Sequence, residues 1–100
     1  MFTGIIETVG EVEQIKKEGN NIIFTIKSKI SSELKIDQSL SHDGVCLTVV
    51  EKTESTHSVV AIKETSIKSN VKEWKVGTLI NLERAMKLGN RLDGHIVQGH

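Results

Sequence analysis

The sequence predicts an all-β domain, a small six-stranded antiparallel Greek-key barrel with one or two short helices. Six short segments rich in β-forming residues are separated by polar or glycine-containing turns, without proline and without a long linker. Only one segment has the apolar spacing of a helix. Closing the sheet into a barrel removes the strand edges that a chain of 100 residues can hardly protect in another way.

The elements follow in a simple order along the chain. The strands are predicted at residues 5–15, 21–28, 38–41, 45–52, 57–64 and 78–83, with hairpins joining the first two and the fourth to the fifth. Gly10 indicates a bulge or a sharp bend in the first strand. Residues 31–35 suit one turn of helix. Thr65 or Ser66 is expected to cap a longer helix whose buried stripe is Ile67, Val71 and Trp74.

The segment from His42 to Val50 combines a turn with a strand that has two different faces. Asp43-Gly44 readily supplies the positive φ of a tight turn, and β-branched residues follow it. Side chains alternate across a strand, so Cys46 and Thr48 share one face. The opposite face is apolar and packs in the core: Val45, Leu47 and Val49.

Composition excludes several classes of function. Thirteen basic residues balance thirteen acidic ones, and only three residues are aromatic, which disfavours a nucleic-acid surface or an anionic-membrane surface. The single cysteine cannot form an internal disulfide and fits a reducing compartment. No stretch approaches the roughly 20 apolar residues of a membrane span, and the start lacks the features of a signal peptide. We therefore expect a cytoplasmic domain without a membrane partner.

The last residues fit the barrel poorly. We expect the barrel to occupy residues 1–89, and residues 90–100 to be a linker and the truncated start of a second, similar barrel. This end is rich in glycine and histidine, and Val97-Gln98-Gly99 repeats the apolar–polar–glycine pattern of Phe2-Thr3-Gly4.

With these elements placed, the sequence resembles riboflavin synthase of the α-chain type along its whole length. The motifs that carry the resemblance are residues 1–7 (MFTGIIE), 43–49 (DGVCLTV), 63–65 (KET), 81–85 (NLERA) and 94–100 (GHIVQGH). Members of that family carry two similar barrels in about twice this length. Here the first barrel and the lead-in to the second are present.

The resemblance implies an activity and its partners. The family joins two molecules of 6,7-dimethyl-8-ribityllumazine, giving riboflavin and 5-amino-6-ribitylamino-uracil, without a metal or an organic cofactor. Its members are homotrimers whose sites form between the first barrel of one subunit and the second barrel of a neighbour. A single barrel would hold one lumazine or riboflavin, and we expect it to pair with a second copy as a homodimer.

The resemblance also implies the site residues. The ligand-binding set carried over from the family is Gly4, Ile5, Ile6, Cys46, Leu47, Thr48, Val60, Ala61, Ile62, Lys63, Glu64, Thr65, Gly99 and His100. Ser39 and His42 fall near the pocket, and with Cys46 they are the candidates for catalysis. His42 is the best candidate for proton transfer, because an ordinary histidine pKa lies near neutral pH. Asp43 stands where asparagine is frequent, which keeps the turn and adds a carboxylate near the pocket.

Each candidate has a structural alternative. A lone cysteine is more often a small buried hydrophobe, but Cys46 shares its face with Thr48 and not with the apolar residues. His57 is expected on the surface of a hairpin, and no pair among the four histidines has the spacing of a zinc site. The rival functions are a non-catalytic lumazine- or flavin-binding protein, an oligonucleotide-binding barrel and a purely structural domain.

Overall fold

The computed structural model describes residues 4–85, apart from the side chains of residues 66–68. The strands are β1 (Thr8–Glu18), β2 (Asn21–Lys27), β3 (Ser39–His42), β4 (Val45–Lys52), β5 (Thr56–Ala61) and β6 (Leu79–Arg84). One α-helix, α1 (Lys63–Lys68), and two 3₁₀ turns at Ser31–Glu33 and Val71–Glu73 complete the fold. The predicted linker at 90–100 lies outside the described residues.

The six strands form a closed antiparallel barrel, as predicted. Their order around the barrel is β1-β2-β5-β4-β3-β6, and every neighbouring pair is antiparallel. The meander β3-β4-β5 has β6 returning beside β3, which is a Greek-key connection. Each strand therefore has two hydrogen-bonded neighbours, and beyond Val12 the β1 strand pairs with β2 only.

Alternating side chains fill the barrel interior. Phe24 packs against Trp74 with an edge-to-face ring contact at 5.0 Å between centroids. Among the buried core residues are Val12, Ile26, Leu34, Leu40, Leu47, Val49, Val59, Ala61, Ile80 and Leu82. Leu47 and Val49 of β4 point into this core, as the alternation predicts.

The barrel consists of two similar halves, β1 to β3 and β4 to β6. Each half is a hairpin followed by a 3₁₀ turn and a single strand. The β1–β2 hairpin shifts register after Val12, and the β4–β5 hairpin shifts after Val49. Each 3₁₀ turn leads to a residue of positive φ, Asp37 in one half and Gly77 in the other. The Asp37 N–H donates to the Val49 carbonyl (2.8 Å), and the Gly77 N–H donates to the Val12 carbonyl (2.8 Å).

The bulge predicted at Gly10 lies elsewhere in β1. The bulge in β1 lies between Val12 and Gln14, and Gly10 has a different role. A Cβ at Gly10 would stand 2.7 Å from Ile26 Cγ2 and 2.9 Å from Leu82 Cδ1. Any larger residue at this position would force Ile26 and Leu82 to shift, because β1 passes very close to both side chains.

The predicted long helix is also wrong. α1 begins at Lys63 after Ile62, without a side-chain cap, and ends before Ser69. The Ser69 hydroxyl donates to the Thr65 carbonyl (2.6 Å) and accepts the Val71 N–H (3.3 Å), so it closes the helix and starts the 3₁₀ turn. Val71 and Trp74 are buried as predicted, but from this turn rather than from a helical stripe.

Candidate ligand-binding site

The β3–β4 hairpin is set by its two-residue turn. Asp43 (φ 52°) and Gly44 (φ 86°) both have positive φ, as the tight hairpin turns that suit twisted strands require. The Asp43 carboxylate accepts the N–H of Asn81 (2.7 Å), and its own N–H donates to the Asn81 carbonyl (2.8 Å). The carboxylate therefore joins the turn to β6, and it also lines a surface groove with Gly4 and Glu83.

The outer face of the barrel carries the predicted thiol and hydroxyl. Cys46 and Thr48 are both exposed on β4. Their register partners on β3 are Ser41 and Ser39, so two short rows of polar side chains run across these strands. Val60 lies one residue beyond the Val49–Val59 pair and is half-buried on the same outer face. Thiol, hydroxyl and small apolar groups thus share one surface.

Two of the predicted contact residues face the other way. The side chains of Leu47 and Ala61 are buried in the core, because both occupy inward positions of the alternation. Only their main-chain atoms are placed to meet a ligand on the outer face. For these two residues the predicted ligand contact would therefore be made by main-chain atoms.

The start of α1 follows directly after the end of β5. Ile62, Lys63 and Glu64 are exposed and line a groove of about 480 Å³ together with Asn21. Thr65 is half-buried and does not cap the helix, since the residue before α1 is Ile62. The predicted capping role of Thr65 is wrong.

The N-terminal segment, residues 4–7, borders the outer face next to Ser41. Ile5 and Ile6 are 73% and 53% exposed. Gly4 and Ile6 line a groove of about 470 Å³ whose wall includes Ser41 and Glu83. The Gly4 N–H reaches both carboxylate oxygens of Glu83, at 3.1 and 3.2 Å. Glu83 and Ser41 line this groove and are not among the residues that the sequence predicted, although Ser41 follows Ser39 at the strand period of two.

His42 is not placed for chemistry on this face. It is fully buried and points into the core, and so does His57, which the sequence analysis expected on the surface. His42 Nδ1 lies 3.0 Å from the Leu40 carbonyl, and its Nε2 lies 3.0 Å from His57 Nε2. His57 Nδ1 lies 3.1 Å from the Ser31 hydroxyl. His42 is therefore enclosed in the core, away from the exposed Cys46, and the structure lends no support to its predicted role in proton transfer.

With both rings neutral, only one arrangement of protons satisfies this chain of buried hydrogen bonds. A carbonyl accepts, so His42 carries its proton on Nδ1 and accepts at Nε2 from His57. His57 then accepts at Nδ1 from Ser31, whose oxygen accepts from Ser28 (2.8 Å). Both rings are neutral. Burial, and then the charge of His57, lower the pKa of His42 to about 3, and burial lowers the pKa of His57 to about 4.

Two further predicted ligand-binding residues, Gly99 and His100, lie outside the described residues. Within residues 4–85, no three histidine, cysteine or acidic side chains are grouped as a metal site. In that same part of the chain no helix is long and apolar enough to cross a membrane.

Comparisons of the sequence and of the fold identify related proteins. A family profile for the lumazine binding domain matches residues 3–85. Over the whole chain, the sequence is 41% identical to riboflavin synthase of Bacillus subtilis (strain 168) and 36% identical to that of Brucella abortus (strain 2308). The match covers 47% and 52% of these two relatives, so the chain spans about half the length of the curated relatives it matches.

Solved structures show the same fold. LumP complexed with 6,7-dimethyl-8-(1'-D-ribityl) lumazine is similar with a TM-score of 0.77 at 23% identity, covering 84% of this chain and 48% of that one. LumP complexed with flavin mononucleotide is similar with a TM-score of 0.74 at 25% identity, over 82% of this chain and 48% of the other. With a family profile matching most of its residues, this chain belongs to the lumazine-binding domain family.

Proposed function

We propose that this barrel binds one 6,7-dimethyl-8-ribityllumazine or one riboflavin, as half of a riboflavin synthase site in riboflavin biosynthesis. The observation that carries the proposal is the outer face of β3, β4 and β5. There Cys46 and Thr48 are exposed beside Ser39 and Ser41, and Gly4 and Ile6 of the N-terminal segment lie next to Ser41. A flat ring with a polyhydroxylated chain matches a surface of hydroxyl, thiol and small apolar groups with main chain at its rim.

The exposed groups suggest how the ligand is held. The hydroxyls of Thr48 and Ser39 suit the ribityl chain, since each can donate and accept. Main-chain N–H and C=O groups near Gly4 and at residues 60–65 suit the pyrimidine-like edge of the ring. Since His42 is buried, Cys46 and Ser39 are the remaining candidates for a direct role in chemistry, with the thiol at the surface.

The complete reaction needs a second barrel opposite this face. Two lumazines stacked in opposed orientation would exchange a four-carbon unit, and their positioning alone is worth roughly 7–11 kcal/mol. Such an enzyme would be a homotrimer of two-barrel subunits. This single barrel would pair with a second copy as a homodimer, covering Ile5, Ile6 and Ile62, which are exposed. Light scattering that shows a monomer at micromolar concentration would contradict the homodimer.

Riboflavin titration tests the binding proposal. Quenching of riboflavin fluorescence is expected for the parent, with Cys46→Ser and Thr48→Val each weakening affinity several-fold. Ser32→Ala is the matched control, since its hydroxyl is exposed on the 3₁₀ turn outside the site. If Cys46→Ser and Thr48→Val bind as tightly as the parent, the site is assigned to the wrong face.

The second candidate function is a non-catalytic lumazine- or flavin-binding protein. The similarity to LumP in complex with a lumazine and with flavin mononucleotide favours it. A turnover assay on the full two-barrel form separates the two functions, because only a synthase forms riboflavin from the lumazine. A cytoplasmic location remains a prediction.

A further inference from the structure

One carboxylate in the barrel faces outward and is nevertheless buried. Glu83 of β6 is only 9% exposed, although its neighbour Leu82 fills the core and the alternation turns Glu83 to the outer face. Buried carboxylates are retained where hydrogen-bond donors compensate them. Here a donor is the N–H of Gly4, which reaches both carboxylate oxygens from 79 positions away in sequence.

This contact fixes one end of the N-terminal segment, and the other end is fixed as well. The Glu7 N–H donates to the Leu82 carbonyl (2.8 Å), and the Glu7 carboxylate pairs with Arg84, whose Nε lies 3.0 Å from each oxygen. Ile5 and Ile6 stand exposed between the two attachments. The segment is thus held against β6 over a span of four residues.

The position of Glu83 in the sheet relates this attachment to the ligand face. Glu83 is the register partner of Ser41, and Ser41 is the register partner of Cys46. Adjacent strands are about 4.8 Å apart, so Glu83 and Cys46 lie about 10 Å apart along one row. The Gly4–Glu83 contact therefore sets how far the N-terminal segment stands from the exposed thiol.

Resting on the proposed function, we infer that Glu83 is a positioning residue of the ligand site. Its carboxylate holds Gly4 so that the N-terminal segment forms one wall of the face before a ligand arrives. A ligand then does not have to order this wall on binding, which preserves affinity. Glu83 itself need not touch the ligand.

The test combines a spectroscopic readout of the contact with a measurement of affinity. In protein labelled with ¹⁵N-glycine, the Gly4 amide proton is expected at low field because it is bonded to a carboxylate, and it should move upfield in Glu83→Gln and further in Glu83→Ala. Riboflavin affinity should fall about tenfold in Glu83→Ala, from the loss of one charged hydrogen bond. It should fall less in Glu83→Gln, which keeps one acceptor oxygen. Glu13→Gln, an exposed carboxylate of β1, should change neither quantity.

The outcomes separate this inference from the proposed function. An unchanged Gly4 resonance in Glu83→Gln refutes the contact. A shifted resonance with parental affinity refutes the positioning role, and equal losses in the glutamine and alanine variants do the same, because a positioning role requires partial rescue. Circular dichroism shows whether Glu83→Ala is folded, and the test stands on Glu83→Gln if it is not. A parent that fails to quench riboflavin overturns the proposed function and the positioning role together, while the Gly4 resonance still decides the contact.

Discussion

Acidification from pH 7 to pH 5 should destabilise this barrel through its buried histidine pair. In the folded protein the pKa of His42 is lowered to about 3 and that of His57 to about 4, whereas an unfolded histidine has a pKa near 6.5. The unfolded chain therefore binds two protons between pH 6.5 and pH 4 that the folded chain does not. Stability is full above pH 6.5 and is lost as the pH falls towards the folded pKa values.

The loss of stability between pH 7 and pH 5 depends little on how far the two folded pKa values are lowered. As long as both folded pKa values lie below 5, each histidine costs about 2 kcal/mol between pH 7 and pH 5, and the pair costs about 4 kcal/mol. The slope near pH 5 is about 2.7 kcal/mol per pH unit. Domains of this size are stable by only about 5–15 kcal/mol, so the loss is a large part of the total.

Urea unfolding at several pH values between 5 and 7 measures the effect. Trp74 is the single tryptophan and is buried, with its ring centroid 6.4 Å from that of His42, so its fluorescence reports loss of the core around the pair. Circular dichroism follows the sheet independently. Both probes should give the same free energy of unfolding if the transition is two-state.

A variant of the pair makes the test specific. His57→Gln should lower stability at pH 7, because His42 and Ser31 lose their partner, and it should halve the slope near pH 5 to about 1.4 kcal/mol per pH unit. Carboxylates titrate mainly below this window. A free energy of unfolding that stays constant within 1 kcal/mol from pH 7 to pH 5, or a full slope in His57→Gln, would refute the reasoning.

Three further predictions concern the scaffold. Gly10→Ala should destabilise the barrel by about 1–3 kcal/mol in urea unfolding, because its Cβ would overlap Ile26 Cγ2, whereas alanine at the exposed Glu11 should cost far less. Asp43→Ala should lower the free energy of unfolding by about 1 kcal/mol or more, because it removes the acceptor of the Asn81 N–H and places alanine at a φ of 52°. Asp43→Asn keeps an acceptor oxygen and tolerates this φ, so it should recover most of the loss; equal losses would contradict this role. Glu7→Gln should lower the free energy of unfolding by at most about 1 kcal/mol in low salt and by nothing measurable in high salt, because the ion pair with Arg84 is partly exposed. A loss of stability that salt does not change would contradict this explanation.

The alternation of the strands made much of the site predictable. The orientation of the β4 side chains follows from the strand period of two and the apolar core. Leu47 and Val49 point inward, and Cys46 and Thr48 point outward. The same rule turns His42 and His57 inward, against the expected surface position of His57. A two-residue turn pairs His42 with Val45, and His57 shares its parity with Val59.

The predicted long helix is absent for a local reason. Apolar spacing does not distinguish a continuous helix from a short helix followed by a 3₁₀ turn. Here the Ser69 side chain takes over a main-chain carbonyl and a main-chain N–H, so the helix ends where spacing alone would continue it.

By itself, the sequence determined the fold class, the turn at Asp43-Gly44 and the exposed face of β4, because these depend on local conformational preference and on strand periodicity. Only the tertiary structure decided which distant groups meet. His42 and His57 lie on strands separated by β4 and touch across the core, and Gly4 meets Glu83 from opposite ends of the domain. Such contacts depend on strand order and closure of the barrel, and no local pattern encodes them.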